Sequence, residues 1–132
     1  MSDCIFCDVA ARRIEAEIVF ESADAVAFVD RYPAARGHVL VIPRRHAATL
    51  IDLPDEAVGG LFLAVKEVIR KVSAALRPAA MHVGWNHGRD AGQRVFHLHV
   101  HVLPRQHPGR GVQALGEGSS ALPEDAEAIR KA

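Results

Sequence analysis

Net charge is the first thing this sequence lacks: sixteen Lys and Arg side chains face sixteen Asp and Glu. A balanced chain sets up no long-range field for nucleic acid or an anionic membrane surface, so charge argues for neither partner. Long apolar runs are also missing. None approaches the roughly 20 residues needed to cross a bilayer. Met1-Ser2-Asp3-Cys4 lacks the basic and then apolar segments of a secretory signal, so a cytoplasmic location is expected by default. Cysteine is scarce, with only Cys4 and Cys7, and no internal repeat is visible. The glycine-bearing loop 87–94 lacks the GxxxxGK[ST] spacing, which excludes a P-loop. What remains is ordinary globular protein, 49% hydrophobic and 24% charged over 132 residues. That length suits one domain with a real core.

The apolar pattern divides the chain into short elements. Ile5 to Arg13 reads as a helical turn, with Ile5, Phe6 and Val9 on one face. Ile18–Glu21 and Ala25–Val29, separated by Ser22-Ala23-Asp24, read as a hairpin. Asp30 at its end is either a turn residue or a hydrogen-bonding group for a hydroxylated ligand. Tyr32 to Gly37 is a loop, and His38 to Pro43 suits a central strand buried on both faces. Arg44-Arg45-His46 follows, either as a solvated turn or as a cation patch with a metal ligand. Asp52 is expected to cap the one long helix, with Pro54 near its first position. Val58, Leu61, Phe62, Val65, Ile69, Val72 and Leu76 form its apolar stripe, and Pro78 ends it. Gly59-Gly60 near its start points to close packing. Met81 to Asn86 reads as a strand, with His82 as a structural residue. The loop 87–94 that follows suits an anion. Residues 106–132 form a glycine-rich tail beyond a 1–105 domain. That tail closes with a helix from Pro123, acidic at its start and basic at its end.

The chemistry concentrates in Val95-Phe96-His97-Leu98-His99-Val100-His101-Val102-Leu103-Pro104-Arg105. Strict alternation predicts a strand that places His97, His99 and His101 on one face and Leu98, Val100 and Val102 on the other. Pro104 is expected to stop it. A solvated face would carry Thr, Lys or Glu, so three imidazoles need a chemical reason. Two chemistries compete. Three histidines can hold a catalytic zinc. Alternatively, one imidazole can attack phosphorus and split a hard displacement into two easier steps. Asn86, Gln93 and loop amides offer phosphate donors and favour the second. Cys4-Ile5-Phe6-Cys7 is open between a redox dithiol, two unrelated thiols and half of a zinc site; His46 and His97 are candidate partners for the last.

Gln93-Arg94-Val95-Phe96-His97-Leu98-His99-Val100-His101-Val102-Leu103-Pro104-Arg105 closely resembles the signature of the histidine-triad (HIT) family, His-φ-His-φ-His-φ-φ with φ apolar. Cys4-Ile5-Phe6-Cys7, Ala27-Phe28-Val29-Asp30, Gly37 to His46, and Asn86-His87-Gly88 with Ala91-Gly92-Gln93 are similar to family landmarks in the family's order. The resemblance implies an α+β fold: a five-stranded antiparallel sheet, one long helix and a short N-terminal helix. It implies a homodimer pairing through the long helix and an adjacent strand. It implies a hydrolase or transferase acting at the α-phosphate of a purine nucleoside phosphoramidate, with a dinucleoside polyphosphate hydrolase and a nucleotide-binding regulator with vestigial activity as alternatives. His99 would be the nucleophile, His101 would contact the phosphate and assist leaving-group departure, and His38 would help orient the nucleophile. Asn86 and Gln93 would donate to the phosphate, Asp30 would accept from the ribose hydroxyls, and Phe6, Phe28 and Val29 would wall the base. A structural zinc would sit on Cys4, Cys7, His46 and His97. Two residues depart from the pattern. Arg94 stands where a Ser or Thr hydroxyl is common, and either supplies charge as a nucleotide-binding residue or points away; Arg31 stands where an apolar pocket residue is common.

Overall fold

The computed structural model describes residues 2–106 and 122–132. Its elements in chain order are α1 (Ile5–Ala10), β1 (Ile18–Glu21), β2 (Ala25–Val29), β3 (Val39–Pro43), α2 (Asp55–Leu76), β4 (Ala80–Gly84), β5 (Val100–Arg105) and α3 (Pro123–Lys131). Five antiparallel strands form one sheet in the order β1-β2-β3-β5-β4. This is the α+β architecture the sequence predicts. Most of the glycine-rich stretch lies outside the described residues.

Both sheet faces are covered, so β2 and β3 are buried along their whole length. Their alternate residues separate into two cores. Ala25, Ala27, Val29, Val39, Val41, Val100 and Val102 pack beneath α2. Val26, Phe28, Leu40 and Ile42 pack beneath α1 through Phe6 and Val9. Leu61, Ala64, Val65, Val68 and Val72 form the buried stripe of α2, so the small Ala64 and Val68 join the expected set. Ala126 and Ile129 of α3 enter the same core.

Three local expectations are corrected. Asp52 does not cap α2, which starts at Asp55 after Pro54. Asp52 instead ends a 3-10 turn, Leu50–Asp52, where its carboxylate accepts from the Thr49 amide at 3.1 Å and hydroxyl at 2.9 Å. The last strand does not begin at Val95. Its ladder with β3 begins at Val41↔Val100 and its ladder with β4 at Gly84↔His101. Continuing the register would pair His99 and Leu98 with Ile42 and Pro43, and proline has no N–H to give. Nor does Pro104 stop the strand: it pairs with Met81, and Arg105 with Ala80. The β3 ladder ends two residues earlier at Val102, so no N–H is required of Pro104 on that side.

A candidate active site beside a candidate metal centre

Residues 97–99 lie outside the strand but keep its alternation. Leu98 joins the core beneath α2, and its N–H donates to the Ala47 carbonyl at 2.7 Å. The histidines on either side of it turn to the α1 side, where Phe6 stands edge-on to His97 and His99 with ring centroids 6.1 and 5.1 Å apart. His99 and His101 are 5.0 Å apart. The segment thus presents three imidazoles in a row without a ladder beneath the first two.

Hydrogen bonds fix which ring nitrogen carries each proton. The Ala34 N–H donates to His38 Nδ1 at 3.0 Å, so the His38 proton sits on Nε2. That Nε2–H donates to His101 Nδ1 at 2.9 Å, so His101 holds its own proton on Nε2. His101 Nε2 is buried and has no hydrogen-bond partner among the described residues. His99 has the opposite tautomer: its Nδ1–H donates to the His97 carbonyl at 2.8 Å, which leaves a lone pair on Nε2. A buried donor without a partner needs an explanation, and an anionic ligand beside it supplies one.

Burial keeps these rings neutral. Desolvation pushes His38 down to about 4, against the opposing pull of the Asp30 carboxylate. Desolvation, then the charges of His38 and His99, push His101 down to about 3. His99 is lowered chiefly by burial, while its bond to the His97 carbonyl and the charge of Asp30 act the other way. At neutral pH the site therefore offers one imidazole lone pair and one imidazole N–H, on rings whose centroids are 5.0 Å apart.

Asp30 caps the turn after β2, accepting from the Tyr32 N–H at 2.9 Å, with its other oxygen 3.7 Å from His38 Nδ1. Phe28 meets Phe6 edge-on at 5.4 Å and both are buried in one small cluster. Val29 does not join them. It packs in the other core beneath α2, because adjacent strand residues face opposite ways. Val9 shares the Phe6 and Phe28 cluster instead. Gln93 is buried, and both of its N–H bonds go to carbonyls, of Ala48 at 2.6 Å and Val95 at 3.0 Å. Its oxygen accepts from the Gly88 N–H at 2.9 Å. As placed, Gln93 fastens the loop instead of reaching for a phosphate. Arg94 is exposed, and Asn86 is half-buried beside the loop.

The second cluster is Cys4, Cys7, His46 and His97, whose donor atoms all lie within 4.8 Å of one another. His97 Nδ1 is 3.3 Å from Cys4 Sγ, 3.4 Å from Cys7 Sγ and 3.3 Å from His46 Nδ1. These are the edge lengths of a tetrahedron with metal–ligand bonds of about 2.0–2.3 Å. His97 Nε2–H donates to the Pro43 carbonyl at 2.9 Å, which turns its Nδ1 lone pair inward, the outer-shell bond a metal-binding histidine usually has. Burial, followed by the hydrogen bond and charge of Cys4, pushes the Cys7 thiol up to about 11. A redox dithiol expects a thioredoxin-like βαβ context, which this antiparallel sheet does not supply, whereas the donor set fits zinc well.

The sequence could name the histidines but not the main-chain groups that set their tautomers. Ala34 N–H and the carbonyls of His97 and Pro43 carry no residue-type signal. Alternation of Phe28 and Val29 along one strand is the signal that could have separated them.

The comparisons with known proteins agree with this architecture. The HIT domain model matches residues 11–108. The chain belongs to the HIT domain family. It is 37% identical over 127 residues to an adenosine 5'-monophosphoramidase of Schizosaccharomyces pombe, covering 96% of this chain and 90% of that one. Among solved structures it is similar to a Hit-like protein involved in cell-cycle regulation from Bartonella henselae, with TM-score 0.84, 29% identity and 98% and 95% of the two chains covered. It is also similar to a zinc-bound histidine triad family protein from Mycobacterium smegmatis, with TM-score 0.83, 29% identity and 98% and 91% covered. No helix among the described residues is long and apolar enough to cross a membrane.

Proposed function

We propose that this protein is a nucleotide hydrolase or transferase that acts at the α-phosphate of purine nucleoside phosphoramidates through a nucleotidyl-histidine intermediate. The observation that carries the reading is the pair of opposite tautomers on adjacent rings: a lone pair on His99 Nε2, and on His101 an Nε2–H without a hydrogen-bond partner among the described residues. In this reading His99 Nε2 forms a bond to the α-phosphorus as the bond to the leaving group breaks. The leaving group departs with the electron pair and takes a proton from water, and the attacking water of the second step returns one to solvent. His99 keeps its Nδ1–H against the His97 carbonyl, so the intermediate is a cationic N-phosphoryl imidazole, a good leaving group for water in the second step. His101 Nε2–H donates to the phosphate oxygens where negative charge builds. Asp30 takes the ribose hydroxyls, and Phe6 and Phe28 wall the base. The relative from Schizosaccharomyces pombe, by its name an adenosine 5'-monophosphoramidase, supports this substrate class.

Zinc on Cys4, Cys7, His46 and His97 is part of the same reading. The ion would be structural, tying α1 to the segments after β3 and before β5, and it would take no part in the displacement. A homodimer is also inferred: Leu63 on α2 and Val83 on the edge strand β4 are exposed apolar side chains, 70% and 41% accessible, on the two elements expected to pair.

The test is a substrate panel with His99→Ala beside the wild type. Wild type turns over an adenosine phosphoramidate faster than a diadenosine polyphosphate. His99→Ala loses turnover, on the order of 10⁴-fold or more for a lost nucleophile, and still binds nucleoside monophosphate. Full activity in that variant removes His99 from the reaction.

A further inference from the structure

Helix α3 lies beyond the stretch matched by the family model, 11–108, yet it contacts the turn that leads into His38. Asp125 in its first turn is buried. Arg36 grips that carboxylate at two points, Nε to Oδ2 at 2.9 Å and Nη2 to Oδ1 at 2.8 Å. A forked Arg–carboxylate contact fixes geometry as well as charge. Arg36 belongs to the turn joining β2 to β3, two residues from Ala34 and two from His38. The turn is closed by the Asp30 N–H donating to the His38 carbonyl at 3.0 Å and the His38 N–H donating to the Ala35 carbonyl at 3.1 Å. Gly37 adopts φ +79, and a Cβ there would fall 2.2 Å from Leu76 Cδ1, so the turn is seated against the end of α2 as well.

α3 is firmly based. Ala126 and Ile129 are in the core. Lys71 Nζ donates to the Arg130 carbonyl at 3.1 Å, and Arg130 Nε donates to the Ile18 carbonyl at 2.8 Å. The turn is thus clamped between two fixed helices. It carries the Ala34 N–H that selects the His38 tautomer.

We propose that Arg36 and Asp125 are positioning residues for the His38–His101 relay. Their ion pair holds the β2–β3 turn so that the Ala34 N–H meets His38 Nδ1. His38 then donates from Nε2 to His101 Nδ1, and His101 aims its own Nε2–H outward. The kinetic part of this proposal rests on the nucleotidyl-transfer reading, whereas the tautomer part does not. Neither side chain reaches the reacting atoms; both act through the main chain of one turn. An exposed ion pair would be worth little. This one ends on a buried carboxylate, and removing its partner leaves an uncompensated charge.

The experiment uses the full chain with Arg36→Ala and Asp125→Asn. Long-range proton–nitrogen NMR reads the ring nitrogens of His38, and steady-state kinetics uses an adenosine phosphoramidate. In wild type, His38 gives an unprotonated Nδ1 and a protonated Nε2. In both variants the His38 signals are expected to move toward a tautomer mixture, and kcat to fall by roughly tenfold or more, part of what acid–base positioning supplies, at unchanged KM. Arg36→Lys, a one-point donor, recovers only part of the loss. Wild-type ring signals in both variants overturn the proposal, whatever happens to thermal stability, because a merely structural clamp would leave the tautomer alone. Should Arg36→Ala fail to fold, Asp125→Asn decides alone. A wild type that ignores phosphoramidates defeats the functional reading only; the ring signals still decide this one.

Discussion

At the scale of single residues, the site works by assigning protons. Four imidazoles of equal chemistry are made unequal by their neighbours: the Ala34 N–H fixes His38, which in turn fixes His101, the His97 carbonyl fixes His99 and the Pro43 carbonyl fixes His97. The burial that keeps them neutral has a consequence for stability. His38 and His101 are pushed down to about 4 and about 3 from an ordinary 6.5. Between those values the unfolded chain binds more protons than the folded one, so stability rises with pH across that window. It is complete above about pH 6.5 and falls as the pH drops toward 4. Urea unfolding at pH 7 and at pH 5 checks this. The midpoint should be lower at pH 5, and His101→Asn should narrow the gap between the two. An equal gap in that variant would count against burial as the cause.

At the scale of elements, α2 offers a sharper test. Gly59 and Gly60 are neighbours in its first turns, but their surroundings differ. Nothing lies within 4 Å of a Cβ built on Gly59, whereas one on Gly60 would fall 2.3 Å from Asp24 Oδ2 and 2.7 Å from Asp24 Cβ. Gly59→Ala should therefore stabilise by about 0.5–1 kcal/mol through helix propensity. Gly60→Ala should destabilise, because the β1–β2 turn must move. Thermal unfolding of the two variants distinguishes them by sign. The close packing is legible in the glycine pair, but not which of the two makes the contact; Asp24 is distant in sequence. The histidine strand has the same limit. Its alternation reveals which side chains share a side. It does not reveal that the ladder begins only at Val100, because the cause is Pro43 in a different strand.

At the scale of the molecule, two centres share one short segment. His97 faces Cys4, Cys7 and His46, and two residues later His99 faces the candidate phosphate site, with the His97 carbonyl bonded to the His99 ring. The five strands, the long helix and the donor sets were legible because residue types carry them. Val29 adjoins Phe28 and Asp30 in the motif, but strand alternation turns it into the core beneath α2; Gln93 is a donor-rich loop residue whose N–H groups are taken by the Ala48 and Val95 carbonyls, which residue type does not reveal. The zinc reading predicts about one equivalent of metal on the purified protein, with Cys4→Ser losing the metal and lowering the thermal midpoint. Metal analysis and thermal unfolding on the same samples check both.

The central claim is a covalent bond between His99 Nε2 and the α-phosphorus. It is tested most directly by mixing protein with an adenosine phosphoramidate, quenching in alkali within the first turnovers, and locating the adduct by peptide mass spectrometry. The account predicts one adenylyl group on His99, absent from His99→Ala. An adduct on another residue, or rapid product formation with His99 never modified, would contradict it.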